Sequence, residues 1–357
     1  MVAYLPALTG IRFILALWVV LHHISGQGMM LEQFVKELPE VPRVLLRDGY
    51  LAVQSFFILS GFVLAQSYAR TVWNKRSLIN YFGARLARIY PVYLLSLVVV
   101  SPFIWGAMRE NTRSFDTKVS LLISYLFVLQ GWKGNLHVGW NTPAWSLSCE
   151  FVFYLCFPLL LPVIKGAGKW ALAVIFVITI VTPAAMPHYG VPWDWKPIYH
   201  LSDFAAGIAA SRVFDLGAAR LTKRGAWFYL PATVAGIALI LHPQWMDGTY
   251  GDLNTGLRPL NVLALLGFAW GGGILAEAVS GPVMDFLGKA SYSLYILHVP
   301  VLWWFNKWAM RRGATTARSL SSLLYVAIVV AASAVAFRYV EVPCNSRVRQ
   351  FFKKLAG

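Results

Sequence analysis

The sequence is poor in charge. Only 13% of its 357 residues are Asp, Glu, Lys or Arg, about half the ~25% typical of a soluble domain. That deficit excludes a water-soluble globule, and with it soluble enzymes and transcription factors. Acidic residues are the scarcest, 15 against 31 Lys and Arg. The basic surplus sits in short loops between apolar runs, where it orients a chain in a membrane, so no nucleic-acid partner is expected. Cysteine is nearly absent. Cys149, Cys156 and Cys344 lie in or beside apolar segments without metal-ligand spacing or a pairing scheme, so neither a metal site nor a disulfide framework is expected. No basic leader precedes the first apolar run, which itself contains Arg12, and that run is expected to be retained as the first span.

What is present is apolar surface in long runs. Apolar residues make up 58% of the chain, with 15 Trp, 16 Tyr and 22 Phe, and the mean hydropathy is +0.60. Stretches of about 20 residues, enough for a ~30 Å hydrocarbon core, fall near 8–26, 50–69, 88–107, 143–164, 170–186, 196–213, 226–242, 257–278, 288–307 and 319–339. An eleventh run, Val119 to Gln130, is too short to span and is expected to be re-entrant or interfacial. With the amino terminus inside and ten spans, 17 basic residues lie inside and 13 outside, the latter including Lys307, Arg311, Arg312 and Arg318. Letting the short run cross would reverse the majority, so the positive-inside rule favours ten spans with both termini cytoplasmic. The expectation is an all-α, polytopic, single-domain membrane protein over 1–357, with a core of about 5–343 and a basic cytoplasmic tail at 344–357. Gly267 and Gly271, at GxxxG spacing, are expected to pack helices closely.

Ionisable groups inside spans are costly and mark functional candidates. Here they are Arg12, His22 and His23 in the first span, Glu150 in the fourth, His200 and Asp203 in the sixth and His298 in the ninth. At ~100° and ~1.5 Å per residue, Arg12 and His23 share a helix face within ~20° and stand roughly 16 Å apart along it. His22 lies off that face and is expected to be structural. Glu150, about seven residues into a span entered from outside, is expected at the depth of His23, where an imidazole and a carboxylate suit general-base chemistry. Arg85 and Arg88, three residues apart near the cytoplasmic end of the third span with Arg70, Lys75 and Arg76 upstream, make a basic face. It suits either membrane anchoring or a guanidinium clamp on phosphate.

These residues fall into motifs that together resemble the bacterial membrane acyltransferases of acyltransferase family 3. An Arg, ten residues and a His recur as Arg12 to His23. GYLAVQSFFILSGFVL, with Ser60 and Gly61, resembles the second-span signature, and R-x-x-R-I-Y-P is matched by Arg85, Arg88, Tyr90 and Pro91. WSLSCEFVFY contributes Trp145, Ser146, Ser148 and Glu150. SYSLYILH places Tyr292, Ser293, Tyr295 and His298, and the terminal Glu-x-Pro is Glu341 and Pro343. The six motifs occur in order over nearly the whole chain.

The resemblance implies transfer of an acyl group, most often acetyl, from cytoplasmic acyl-CoA. The acceptor would be a hydroxyl of a carbohydrate, such as a cell-surface polysaccharide or glycolipid, or of a related natural product. The setting would be a bacterial cytoplasmic membrane, with membrane lipid as the surrounding partner and no metal. His23 is then the expected base, Glu150 its orienting or acceptor-binding partner, and Arg12 part of the catalytic cavity. Arg85, Arg88, Tyr90, Ser60 and His298 are expected on the donor. Gln54 departs from the pattern, standing where many relatives have an acidic residue. With no esterase-like domain fused to the span region in this sequence, direct transfer is the simpler expected route. The competing class is a secondary transporter with a mid-membrane Arg/His/Glu site, although the two halves show no matched pair of interrupted hydrophobic segments. A structural or lipid-sensing membrane protein is a third, weaker class.

Overall fold

A computed structural model describes residues 4–110, 115–132, 140–246, 250–311 and 318–357; Arg312 lies outside the described residues. Every regular element among these is helical. In chain order they are α1 (Pro6–Ser25), α2 (Glu32–Glu37), α3 (Glu40–Arg47), α4 (Ala52–Ser67), α5 (Lys75–Glu110), α6 (Phe115–Leu126), α7 (Trp145–Gly166), α8 (Lys169–Ala185), α9 (Lys196–Leu221), α10 (Ala226–Leu241), α11 (Tyr250–Trp270), α12 (Ile274–Ala278), α13 (Pro282–Arg311), α14 (Arg318–Ala336) and α15 (Val342–Leu355), with a π-helical turn at Phe337–Glu341 before α15.

A helix stands at each of the ten positions expected from the apolar runs. Six helical stretches among the described residues are long and apolar enough to cross a membrane: Pro6–Ser25, Gly49–Ser67, Lys75–Gly106, Thr142–Gly166, Lys169–Tyr189 and Ser321–Leu355. The protein is thus an all-helical membrane protein, because in hydrocarbon a helix satisfies its own backbone donors and acceptors. Of the short eleventh run, residues 119–126 lie in α6, which starts four residues earlier and whose 12 residues extend only about 18 Å.

The chain divides into two compact units, each drawn from three stretches. One comprises 1–71, 155–193 and 198–291; the other comprises 72–154, 194–197 and 292–357. In the first unit a buried cluster includes Ile58, Phe62, Ala206, Val262, Leu266 and Trp270. Small residues let its helices approach closely. A Cβ on Gly61 of α4 would collide with the Phe204 carbonyl of α9, and one on Gly207 of α9 with the Ile58 carbonyl of α4. These are reciprocal contacts of the small-residue kind that draws membrane helices together.

The two glycines of the GxxxG pair turn out to have different jobs. A Cβ on Gly267 would come within 2.7 Å of the Tyr229 amide, so this position packs helices as expected, whereas Gly271 takes φ +69° and ends α11. There the Lys223 and Gly225 amides donate to the Trp270 and Gly271 carbonyls at 2.9 and 2.8 Å, satisfying acceptors that a helix end leaves unpaired.

In the second unit α15 packs along α5, and Gly83 of α5 leaves room for the Phe352 ring. Side chains tie down the segment around α6. The Tyr93 hydroxyl donates to the Tyr125 carbonyl at 2.5 Å and receives the Gln130 amide at 2.6 Å. Ser148 donates to the Val128 carbonyl at 2.6 Å and accepts the Gly131 amide at 2.9 Å. These bonds satisfy the Tyr93 and Ser148 hydroxyls, which would be costly to bury unpaired.

Candidate active site

In the first unit, α1 carries the expected Arg12 and His23. Arg12 lines a cavity of about 260 Å³ together with Thr9, Phe62, Val63, Gln66 and Ser67. The polar wall of that cavity is anchored: the Gln66 amide donates to Ser211 Oγ at 2.9 Å and to Asp215 at 2.8 Å, and Lys165 pairs with Asp215 at 2.5 Å. His23 directs Nδ1 at the Val19 carbonyl, 2.9 Å away. A carbonyl can only accept, so Nδ1 carries the proton, and in the neutral ring Nε2 holds the lone pair a base requires. His22 directs Nδ1 at the Arg47 carbonyl at 2.5 Å and packs edge-on against Tyr50, which suits the structural role expected of it. Ser60 is half-buried on α4, next to the close approach at Gly61.

The same unit holds a buried polar network that sequence reasoning did not assemble. Asp203 of α9 is fully buried. Its Oδ1 receives Arg258 Nε at 2.5 Å and Gln54 Nε2 at 3.0 Å, and its Oδ2 meets His200 Nδ1 at 2.8 Å. Arg258 also donates to the Thr179 carbonyl at 2.5 Å, Gln54 to the Asn254 carbonyl at 2.7 Å, and Asn261 to Gln54 Oε1 at 2.9 Å. Gln54 thus has a physical rationale. A second carboxylate at that position would face Asp203 directly, whereas the amide donates to it. The available signals were His200 and Asp203, three residues apart in one span, and Arg258 at the start of the 257–278 run.

In the second unit four of the six motifs converge. Arg88 forms an ion pair with Glu341, which is buried at the end of the π-helical turn and also accepts Ser293 Oγ at 2.7 Å. The Arg88 guanidinium lies 5.2 Å over the Tyr292 ring, while the Tyr292 hydroxyl donates to the Ile89 carbonyl at 2.7 Å. Arg85 lies 5.9 Å over Tyr81 and 5.7 Å over Tyr154. The Tyr154 hydroxyl, on a ring that Arg85 covers, donates to Glu150 at 2.5 Å. Glu150 therefore belongs to the arginine cluster of this unit. The basic face expected at Arg85 and Arg88 is a mixed-charge cluster with aromatic walls, and π-helical turns of this kind are frequent at functional sites.

Two further expected residues are more firmly built in. His298 is fully buried, with Nδ1 on the Tyr295 carbonyl at 2.7 Å and its own carbonyl accepting Tyr325 at 2.8 Å. Tyr90 packs edge-on against Tyr93 and Phe151 and reaches the Leu126 carbonyl at 3.4 Å. Among the described residues no three His, Cys, Asp or Glu side chains are grouped to hold a metal ion.

Comparison with known proteins places these residues in context. An acyltransferase domain family matches residues 5–338. The chain is 28% identical to an acyltransferase, MdmB, of Streptomyces mycarofaciens, covering 96% of this chain and 92% of that protein. It is 21% identical to the O-acetyltransferase OatA of Staphylococcus aureus over 96% of its own length but only 58% of OatA's. No solved structure matches.

Proposed function

Because the chain belongs to this acyltransferase family, and is therefore an enzyme that transfers acyl groups, we propose that it moves an acetyl group from cytoplasmic acetyl-CoA to a hydroxyl acceptor, with His23 as the base. The chain would cross a bacterial cytoplasmic membrane ten times with both termini inside. The acceptor class that the family resemblance favours is a carbohydrate or glycosylated molecule, a cell-surface polysaccharide or glycolipid among them.

The observation that carries this reading is the protonation pattern of His23. With Nδ1 committed to the Val19 carbonyl, Nε2 takes the acceptor's proton as the acceptor oxygen attacks the thioester carbonyl. The carbon–sulfur bond then breaks, and the proton passes from Nε2 to the departing thiolate, leaving ester and free thiol. Arg12, roughly 16 Å from His23 along the same helix face, is too far to meet that oxyanion and offers its charge instead to the anionic donor at the cavity it lines. Arg85 and Arg88 together offer guanidinium charge to the donor's phosphates, and Arg88, ion-paired with Glu341, also holds the π-helical turn in place. Glu150, bonded to Tyr154, orients that cluster.

The test is release of free CoA by the purified protein in detergent, measured against ester formed. One thiol per ester, abolished in His23→Ala with acetyl-CoA binding retained, is the expected result. Wild-type turnover by that variant would remove His23 as the base. A folded protein that neither binds acetyl-CoA nor releases thiol would remove the donor assignment.

A further inference from the structure

A second chamber of about 260 Å³ lies in the first unit, bounded by α1, α4, α10 and α11. Its α1 wall is Leu8, Ile11, Ile14, Leu15 and Trp18, a stripe that excludes Arg12 and His23, so the chamber lies on a different helix face from the candidate base. The Trp18 indole closes one end by donating to the Leu45 carbonyl at 2.6 Å. Most of the remaining lining is aliphatic, with Asn261, Ser55 and Thr233 as its polar side chains.

The direction of the Asn261 amide follows from the buried network. Asp203, ion-paired with Arg258, is an acceptor, so Gln54 turns its nitrogen to it and its oxygen to Asn261. Asn261 must then turn its nitrogen to Gln54, which occupies one of its two N–H groups and leaves its carbonyl oxygen beside the second N–H for a ligand. An apolar chamber whose amide both accepts and donates selects a hydroxyl, which does both, on an apolar body. A charged donor would bear a desolvation penalty that a neutral hydroxyl avoids. We infer that this chamber binds a molecule with an alkyl body and one hydroxyl group, received from the bilayer, with the hydroxyl donating to Asn261.

The probe is a terminally trifluorinated octanol and its methyl ether, followed by fluorine NMR on the purified protein in micelles without any acyl donor. A saturable protein-bound resonance is expected, with the alcohol held roughly fivefold tighter than the ether, the share of one neutral hydrogen bond. Gly236→Leu should abolish it. A Cβ at Gly236 meets only Leu257 Cδ2, at 3.8 Å, so the new side chain fits the helix and fills the chamber. Asn261→Leu should bring the alcohol down to the ether's affinity. The site is overturned if a folded wild type gives no saturable resonance or if Gly236→Leu retains it. Equal affinity for alcohol and ether would overturn the hydroxyl assignment. Adding acetyl-CoA then separates two sources of the same chemistry, and both results support the site. Esterification of the bound alcohol in wild type but not in Gly236→Leu marks an acceptor, and an unchanged resonance marks a lipid alcohol.

Discussion

Removing the charge of Asp203 tests the energetics of the buried network most directly. Asp203 and Arg258 are 0% and 3% exposed, with Arg258 Nε 2.5 Å from the carboxylate. In Asp203→Asn the guanidinium keeps the Thr179 carbonyl but loses its counter-charge. Breaking one side of a buried pair costs about 3–5 kcal/mol, roughly a thousandfold in the folding equilibrium at the middle of that range. Arg258→Leu should cost a comparable amount, because Asp203 would keep only the Gln54 and His200 contacts. The double variant Asp203→Asn/Arg258→Leu removes both charges and should recover most of the loss, since a buried pair replaced as a unit is often near neutral. The assay is equilibrium unfolding in mixed micelles with rising fractions of denaturing detergent, followed by near-ultraviolet circular dichroism, for wild type and all three variants. A coupling energy of about 6 kcal/mol is expected. Losses that add to within about 0.5 kcal/mol, the behaviour of independent sites, would refute the pairing.

Arg85→Ala should weaken acetyl-CoA binding about tenfold, as expected for loss of a charge-assisted contact. Arg88→Ala should destabilise the protein by leaving the buried Glu341 carboxylate without its ion-pair partner; calorimetry and thermal unfolding of both variants check the two effects, and an unchanged donor affinity in Arg85→Ala would remove it from the donor site. Gly61→Leu and Gly207→Leu should each prevent folding, because the new side chains meet backbone across the α4–α9 contact. Gly106→Ala, with nothing within 4 Å of the added carbon, should be neutral or stabilise by up to about 1 kcal/mol; recovery of monodisperse protein after detergent extraction checks all three.

Local spacing and hydrophobicity were legible from the residues alone. Runs of apolar residues dictate helices because a chain in hydrocarbon must close its own hydrogen bonds, and a helix stands at each of the ten expected positions. The eleven-residue interval from Arg12 to His23 places both on one face of α1 through helix geometry alone, and the motif order sufficed to suggest the family. Which charges meet depends on how the helices pack. Arg88 and Glu341 are 253 residues apart in the chain, Gln54 and Asp203 are 149 apart, and Arg258 and Asp203 are 55 apart. No periodicity links such positions. Their pairing follows from which helix faces pack together, and that is set by small residues such as Gly61 and Gly207, whose missing side chains matter only once another backbone lies against them. The role of Gln54 was hidden for the same reason: its amide is informative only beside the carboxylate that folding brings to it.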